Sequence, residues 1–390
     1  MRGMWQAVRV RVAVVAGPDA GHAIPAIALS LRLADAGHDA VVLTGERWLG
    51  LELPGVTFAE LKGLAPRLGD DDGDAGAKIH ARAAHIANEM LPDLGALLPD
   101  LVVADVLTAG GGMAAERLGI PWVELSPHPL YLPSRGLPPI GSGLDVGTGV
   151  RGRLRDAALR AMTARSLRQG ERERSAARVG IGLPARDPGP RARLIATLPA
   201  LEVPRPDWPG HAHVVGPLLW EPTAEILDPP PGDGPVVMVA PSTAVTGVTG
   251  MVETVCDALD GAGMRVAATM LDPPQQSLPS WAVSGRGRQD VLLRQADVVV
   301  CGGGHGMLAK TQSAGVPAVI VPGGGDQWEL ANRAARQGSA VVVRPLDAAA
   351  VRSAIDTVLS SPDFAAAARA AADGAGDVED PVAVCEAAAD

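Results

Sequence analysis

Residues 298–332, VVVCGGGHGMLAKTQSAGVPAVIVPGGGDQWELAN, indicate the fold of this chain more clearly than any other stretch. Val298–Cys301 is a short apolar run without polar alternation, which predicts a parallel strand covered on both faces. The glycine-rich residues 302–306 leave few side chains before the next helix, so an anion could reach the N–H groups at the helix start. Residues 315–317, Gly-Val-Pro, end that helix, and the apolar residues 318–321 predict a second strand.

Asp326 and Gln327 follow this second strand. They come at the carboxyl end of a predicted parallel strand, which is the edge at which open α/β sheets bind ligands. A carboxylate accepts hydrogen bonds and an amide both donates and accepts them, which suits the hydroxyl groups of a sugar. Chain packing explains a glycine turn equally well. The Asp-Gln pair is therefore what favours a ligand site.

This segment resembles the donor-binding motif of inverting, nucleotide-sugar-dependent glycosyltransferases with the GT-B fold, a family that includes macrolide, glycopeptide and plant natural-product enzymes. The match consists of GGHG at 303–306, AGVP at 314–317, Pro322 and the Asp-Gln pair, in the family's order. The resemblance extends over nearly the whole chain. It implies two doubly wound, Rossmann-like α/β domains that face each other across a cleft. The donor contacts that it implies here are Gly303, Gly304, His305, Gly306, Asp326 and Gln327.

Length and composition agree with two domains. The chain has 390 residues, of which 47% are hydrophobic and 20% charged, enough for two cores in an ordinary soluble protein. A net charge of −10 argues against nucleic acid as a general partner. The three cysteines are too widely spaced for a disulfide framework or a zinc site. No export signal or run of about 18 apolar residues is present, so the cytoplasm is the expected location.

Helices that end at glycine and lead into apolar strands recur along the chain, for example at Gly37, Gly119 and Gly338. This alternation predicts doubly wound parallel sheets. The prolines between residues 199 and 235 exclude regular helix and central strand. We therefore predict a domain boundary in this passage, with an N-terminal acceptor-binding domain at 1–212 and a C-terminal donor-binding domain at 213–390.

His22 is the candidate catalytic base. The strand predicted at 10–15 leads into AGPDAGH at 16–22 and an apolar helix, without the GxGxxG of dinucleotide sites. An imidazole at this strand–helix junction could take a proton from a hydroxyl near neutral pH, although a histidine that caps the helix is the alternative. In the resembling family the histidine of G-H-x-x-P, here residues 21–25, is the general base.

Asp105 is the candidate partner of that base, because it closes the apolar run at 101–104. A carboxylate fixes the tautomer of a histidine base and stabilises the imidazolium. The resembling enzymes have an aspartate at the equivalent strand end, paired with the base. Asp19 shares the loop with His22 and remains the reserve candidate.

Ser242 and Thr243 follow the strand predicted at 236–240, where hydroxyl and N–H groups could bind phosphate. A serine/threonine turn is an equal alternative. The chain departs from the family at Gly302, where a histidine is usual, and at Met307, where a threonine or serine is usual. Because of these departures, a non-catalytic relative of the family remains an alternative interpretation. Cationic side chains could compensate, namely Arg286, Arg288, His305 and Lys310, and of these Arg288 and His305 are the predicted donor contacts.

Three other segments are informative. The acidic residues 70–74 predict a solvated loop, since a calcium loop would need a glutamate where Ala81 stands. The arginine-rich residues 151–178 predict a solvated helix that could also contact an anionic acceptor or a membrane surface. The Pro/Gly-rich residues 126–150 predict a loop that overhangs the crevice and shapes the acceptor site, with an ordinary surface loop as the alternative.

The sequence as a whole predicts an inverting glycosyltransferase in which His22, oriented by Asp105, deprotonates a hydroxyl of a small, apolar acceptor. No cofactor or metal is expected, because helix dipoles and N–H groups can neutralise the leaving diphosphate. A sugar-nucleotide epimerase of the same architecture and a non-catalytic nucleotide-sugar-binding protein are the alternatives. Neither the sugar, the nucleobase, the acceptor nor the oligomeric state follows from the sequence.

Overall fold

The computed structural model describes residues 9–65, 75–244, 246–273, 277–376 and 378–390, with the backbone alone at 75–78. The acidic segment predicted as a solvated loop at 70–74 lies outside these residues. Strands and helices alternate through the described chain and build two parallel sheets.

The first sheet has seven strands in the order β3-β2-β1-β4-β5-β6-β7, and neighbouring strands pair in parallel. The strands are β1 Arg11–Val15, β2 Asp39–Thr44, β3 Val56–Glu60, β4 Leu101–Asp105, β5 Trp122–Ser126, β6 Ala192–Ile195 and β7 Ala212–Val214. The helices of this half are α1 Ala20–Asp35, α2 Ala75–Leu97, α3 Gly110–Leu118 and α4 Gly149–Gly180.

The second sheet has six strands in the order β10-β9-β8-β11-β12-β13, again in parallel. Its strands are β8 Val236–Ala240, β9 Arg265–Thr269, β10 Ala282–Gly285, β11 Val298–Cys301, β12 Ala318–Ile320 and β13 Ala340–Val342. The helices of this half are α5 Met251–Leu259, α6 Gln289–Leu293, α7 His305–Ser313, α8 Gln327–Gln337, α9 Ala348–Ser360 and α10 Pro362–Asp373, and the last helix of the chain is α11 Pro381–Ala389.

Both faces of each sheet are covered, which explains the unbroken apolar runs in the sequence. In β1, Val12 and Val14 pack in the core formed with α1 and α11, whereas Ala13 and Val15 pack in the core formed with α2 and α3. Alternate residues of β11 divide in the same way between two cores. The predicted fold class, two doubly wound α/β units, is confirmed.

The strand order reverses beside the first strand of each sheet, between β1 and β4 and between β8 and β11. Such switch points open a crevice at the carboxyl ends of the strands, where doubly wound sheets bind ligands. His22 and Asp105 follow or end the strands at the first switch point. The residues after β8 and β11, namely Ser242 and the glycine turn, occupy the second. Topology therefore places the predicted residues at the carboxyl edges of the two sheets.

The chain crosses between the sheets twice. The boundary predicted between residues 212 and 213 falls inside β7, the edge strand that pairs with β6. At the other end, α11 returns to the first sheet, where Val382, Val384 and Cys385 join its core. Near this crossing, the N–H of Glu379 donates a hydrogen bond to the Val214 carbonyl over 2.9 Å. The C-terminal helix therefore packs on the N-terminal half of the protein.

The arginine-rich segment forms the long helix α4, as predicted, and most of its arginines are exposed. Arg178 is the exception, since it is 1% exposed and donates two hydrogen bonds to the carboxylate of Glu116 over 2.8 and 2.6 Å. This pair fastens the end of α4 to α3. Within the described ranges, none of the helices combines the length and the apolar character needed to cross a lipid bilayer.

Candidate active site

His22 and Asp105 form a hydrogen-bonded pair at the first switch point. The Nδ1 atom of His22 lies 2.8 Å from Oδ2 of Asp105, whose side chain is fully buried. Since an ionised carboxylate can only accept, Nδ1 carries the proton and donates it to Asp105. The second carboxylate oxygen accepts from the N–H of Leu107 over 2.9 Å. The pair therefore leaves the Nε2 atom of His22 as a proton acceptor.

The surroundings of His22 raise its pKa above 6.5. Burial of the ring acts to lower the pKa, but the charge of Asp105 and its hydrogen bond outweigh burial, with smaller contributions from Asp19 and Asp326. Asp19, the reserve partner, acts through its charge and precedes α1 without capping it through its side chain. The charge of Asp326, which belongs to the other half of the protein, acts in the same direction as that of Asp105.

The glycine turn after β11 leads into α7, and no described side chain caps the start of this helix. Gly303 has φ +78°, a conformation that other residues rarely adopt, and a Cβ there would lie 2.8 Å from the Ile320 side chain. The first N–H groups of a helix have no partner within the helix and carry partial positive charge. Gly304 and Gly306 flank His305 here, so little side-chain bulk covers these groups.

The absence of a side chain at Gly302 has a structural reason. A Cβ at this position would lie 2.9 Å from the Cβ of Ser242, so Ser242 occupies the space that a histidine would need. Ser242 in turn accepts a hydrogen bond from the side-chain amide of Gln327 over 3.0 Å. The neighbouring Thr243 is exposed and remains available to a ligand.

Gln327 and Asp326 differ in the hydrogen bonds that their side chains make within the protein. The Gln327 amide is buried and also accepts from the N–H of Gly323 over 2.9 Å, so it joins the loops after β8 and β12. Asp326 precedes α8 without capping it through its side chain, and its Oδ2 accepts a 3.1 Å hydrogen bond from the Tyr131 hydroxyl. Asp326 is therefore the member of the pair that faces the first domain.

The predicted cationic contacts have partners within the protein. Burial lowers the pKa of His305 to about 3, with His128 adding to the effect, so His305 is neutral at physiological pH. Its Nε2 atom lies 2.8 Å from the Thr197 hydroxyl of the first domain. Lys310 is buried and donates to Glu221 over 2.7 Å and to Gln289 over 3.0 Å.

Arg288 pairs with Asp290 through bonds of 2.9 and 2.8 Å, and it borders a cavity of about 810 Å³. The cavity lies between residues 219–224, in the linker that joins β7 to β8, and helices α6 and α7, beside Lys310. Arg286, by contrast, donates to the carbonyl of Leu271 and does not border the cavity. Of these two arginines, only the half-buried Arg288 therefore borders a space that a ligand could fill.

Sequence reasoning missed several residues that join the two domains. Glu329 and Arg333 are buried neighbours one turn apart on α8, and Arg333 also donates to the carbonyl of Leu201 over 2.9 Å. Their four-residue spacing directly after the Asp-Gln pair is a signal that could have identified them.

Among the described residues, no three His, Cys, Asp or Glu side chains are grouped to hold a metal ion. That the reaction requires no metal stays a prediction.

The low pKa of His305 predicts acid sensitivity. A histidine whose folded pKa lies below its unfolded value of 6.5 stabilises the fold above pH 6.5, and this contribution is lost as pH falls toward 3. For one proton, the free energy of unfolding changes by about 1.4 kcal/mol per pH unit in this range. We expect His305→Gln to take up about one proton fewer than the natural protein on urea unfolding near pH 5. Equal uptake in a pH-stat measurement would contradict the assignment.

Comparisons with known proteins agree with this geometry. Residues 288–381 match the glycosyltransferase family 28 C-terminal domain. Over 392 aligned residues the chain is 28% identical to 4′-demethylrebeccamycin synthase of Lentzea aerocolonigenes, covering 91% of this chain and 93% of that protein. Among solved structures, the glycotransferase of kitacinnamycin superposes with a TM-score of 0.73 at 20% identity, over 95% of both chains. A spinosyn rhamnosyltransferase complexed with thymidine diphosphate gives 0.67 at 20% identity, over 96% of this chain and 98% of that one.

Proposed function

We propose that this chain, a glycosyltransferase with the GT-B fold, moves a sugar from a nucleoside-diphosphate donor to a hydroxyl of a small, apolar natural product. The observation that carries the proposal is the hydrogen-bonded His22–Asp105 pair at the edge of one domain, and this domain is joined to Asp326 of the other domain through Tyr131. A base on one domain and a carboxylate on the other that could bind the sugar fit transfer between two substrates.

In the proposed reaction, Nε2 of His22 takes the proton from the acceptor hydroxyl. The acceptor oxygen then attacks the anomeric carbon from the face opposite the diphosphate. The bond between that carbon and the phosphate oxygen breaks, the nucleoside diphosphate leaves with the electron pair, and the anomeric configuration inverts. Asp105 stabilises the imidazolium that forms on His22.

The second domain would hold the donor. The N–H groups at the start of α7, which no described side chain caps, would stabilise the charge that develops on the diphosphate. Asp326 would accept hydrogen bonds from the sugar, with Thr243 near the phosphates. The cavity beside Arg288 and Lys310 has a volume of about 810 Å³, which suits the nucleoside. Thymidine diphosphate in the spinosyn rhamnosyltransferase supports a donor of this class.

The first domain would hold the acceptor. The name 4′-demethylrebeccamycin synthase denotes an enzyme that acts on a natural product, and this relative matches most of the chain. In this chain the loop at 127–148 follows β5 and carries His128 and Tyr131. Their rings stack with centroids 4.3 Å apart and would form an apolar wall of the acceptor site.

The proposal is tested in two stages. Thymidine and uridine diphosphates and their glucose conjugates are first screened by thermal shift, since a ligand that binds the native state raises its melting temperature. Release of nucleoside diphosphate is then measured with and without added phenols and alcohols. Release that depends on the alcohol supports transfer. A donor that is isomerised without any alcohol indicates an epimerase, and binding without turnover indicates a non-catalytic protein.

A further inference from the structure

Tyr131 is the single tyrosine of the chain, and it joins the two domains at the crevice. Its ring stacks on His128 with an interplanar angle of 18° and lies 5.8 Å from the Arg333 guanidinium. Its hydroxyl donates to Oδ2 of Asp326 over 3.1 Å. Burial, followed by the charge of Asp326, raises the pKa of Tyr131 well above 10, so the phenol keeps its proton and remains a donor.

The backbone on both sides of Tyr131 is fixed by the passage that follows β6. The N–H of Leu130 donates to the Glu202 carboxylate over 2.6 Å. The Arg205 guanidinium donates to the carbonyls of Leu130 and Leu132. Charged groups hold these backbone atoms more firmly than neutral ones would. The hydroxyl of Tyr131 is therefore presented from a rigid support.

Farther along, the same loop is docked on α8, the helix that begins directly after Asp326. The N–H of Gly143 donates to Glu329 over 2.9 Å, and Arg336 donates to the carbonyl of Gly143 over 2.8 Å. The indole of Trp328 packs so closely that a Cβ at Gly143 would lie 2.3 Å from its Nε1 atom. The loop and the start of α8 are thus held in one arrangement.

We propose that Tyr131 is the residue that positions Asp326 for the sugar of the donor. The Tyr131 hydroxyl occupies Oδ2, whereas Oδ1 has no hydrogen-bond partner in the part of the chain that the structure describes. A sugar hydroxyl can therefore donate to Oδ1 while the phenol keeps the carboxylate in place. This inference rests on the proposed function, because it names the group that orients its sugar-binding carboxylate.

The test compares binding of the sugar with binding of the nucleotide. Tyr131→Phe removes one hydroxyl and keeps the ring. Losing a hydrogen bond to a charged group predicts about tenfold weaker binding of thymidine-diphosphate glucose or uridine-diphosphate glucose, with no change for the diphosphates without sugar. Asp326→Asn should weaken sugar-nucleotide binding alone, and the double variant should add little to it. Ser142→Ala, which removes a hydroxyl elsewhere in the same loop, is the matched control.

A spectroscopic measurement follows the contact directly. Protein labelled with carbon-13 at Cζ of tyrosine gives one signal, from Tyr131. The signal should respond to the glucose conjugates more than to the diphosphates, and Asp326→Asn should remove this difference.

The possible outcomes separate the two proposals. Equal affinities of Tyr131→Phe and the natural protein for a sugar nucleotide that the natural protein binds would overturn the role of Tyr131 alone. Equal weakening for diphosphate and conjugate would also overturn it, since a general structural role has that effect. Failure of the natural protein to bind any of these four nucleotides would overturn the role of Tyr131 together with the proposed function.

Discussion

His22→Ala is expected to lower the rate of sugar transfer by about 10²- to 10⁴-fold, the usual contribution of a positioned general base. The Nε2 atom of His22 is left as a proton acceptor by the bond between Nδ1 and Asp105. Affinity for the nucleoside diphosphate should change little, because the glycine turn and the cavity beside Arg288 belong to the other domain. Alcohol-dependent release of nucleoside diphosphate measures the first quantity, and calorimetry measures the second.

Two controls make this experiment decisive. His22→Gln keeps a polar side chain of similar length and should be as slow as the alanine variant, since an amide is no base near neutral pH. His85→Ala removes a histidine from α2, where its Nδ1 atom lies 3.9 Å from the Glu89 carboxylate, and should transfer at the natural rate. Full transfer in both His22 variants would remove the base assignment. Loss of nucleotide binding along with transfer would show that His22 supports the fold instead.

The sequence predicted the elements around the site because their signals are local. The apolar run of β11, the glycine turn and the start of α7 lie within a few residues of one another, and each adopts the conformation its composition favours. The contact between His22 and Asp105 joins residues 83 positions apart. Even so, it follows from topology, because the carboxyl ends of adjacent parallel strands meet at one edge.

The partners of the residues that were expected to contact the donor could not be predicted, since these partners come from distant parts of the chain. Lys310 is neutralised by Glu221 from the linker, and His305 is kept neutral by burial against the first domain. A lysine or histidine in a sequence indicates a possible charge, but burial and neighbours decide whether that charge is free. Gln327 was predicted to bind the donor, yet its amide already bonds Ser242 and Gly323.

The contact between Tyr131 and Asp326 also could not be predicted from the sequence. The loop at 127–148 has no regular secondary structure, so its composition predicted only that it lies near the acceptor. Its position depends on α8 of the other domain, through the bonds of Gly143 with Glu329 and Arg336. Contacts across a domain interface depend on how two separately folded surfaces fit, which no local pattern encodes.

Asp105→Asn is expected to slow transfer by about 10²- to 10⁴-fold, although it changes a single atom of a buried side chain. The two carboxylate oxygens of Asp105 accept from His22 Nδ1 and from the N–H of Leu107. The asparagine amide has only one acceptor oxygen. If this oxygen keeps the hydrogen bond from the Leu107 N–H, the NH₂ group of the asparagine faces Nδ1 of His22. His22 must then carry its proton on Nε2, which removes the lone pair that the reaction needs.

The pH dependence of this variant distinguishes loss of the partner from general damage. In the natural protein the rate should rise with pH through the pKa of His22, which lies above 6.5 because Asp105 outweighs burial. In Asp105→Asn burial dominates, so the midpoint of the rate profile should shift to lower pH as the plateau falls. Because the folded pKa is raised, the pair stabilises the natural fold fully below pH 6.5, and this contribution disappears as pH rises through that pKa. The difference in melting temperature between the two proteins should therefore be larger at pH 6 than at pH 9. A rate profile of Asp105→Asn with an unshifted midpoint and the natural rate would show that Asp105 does not act on His22.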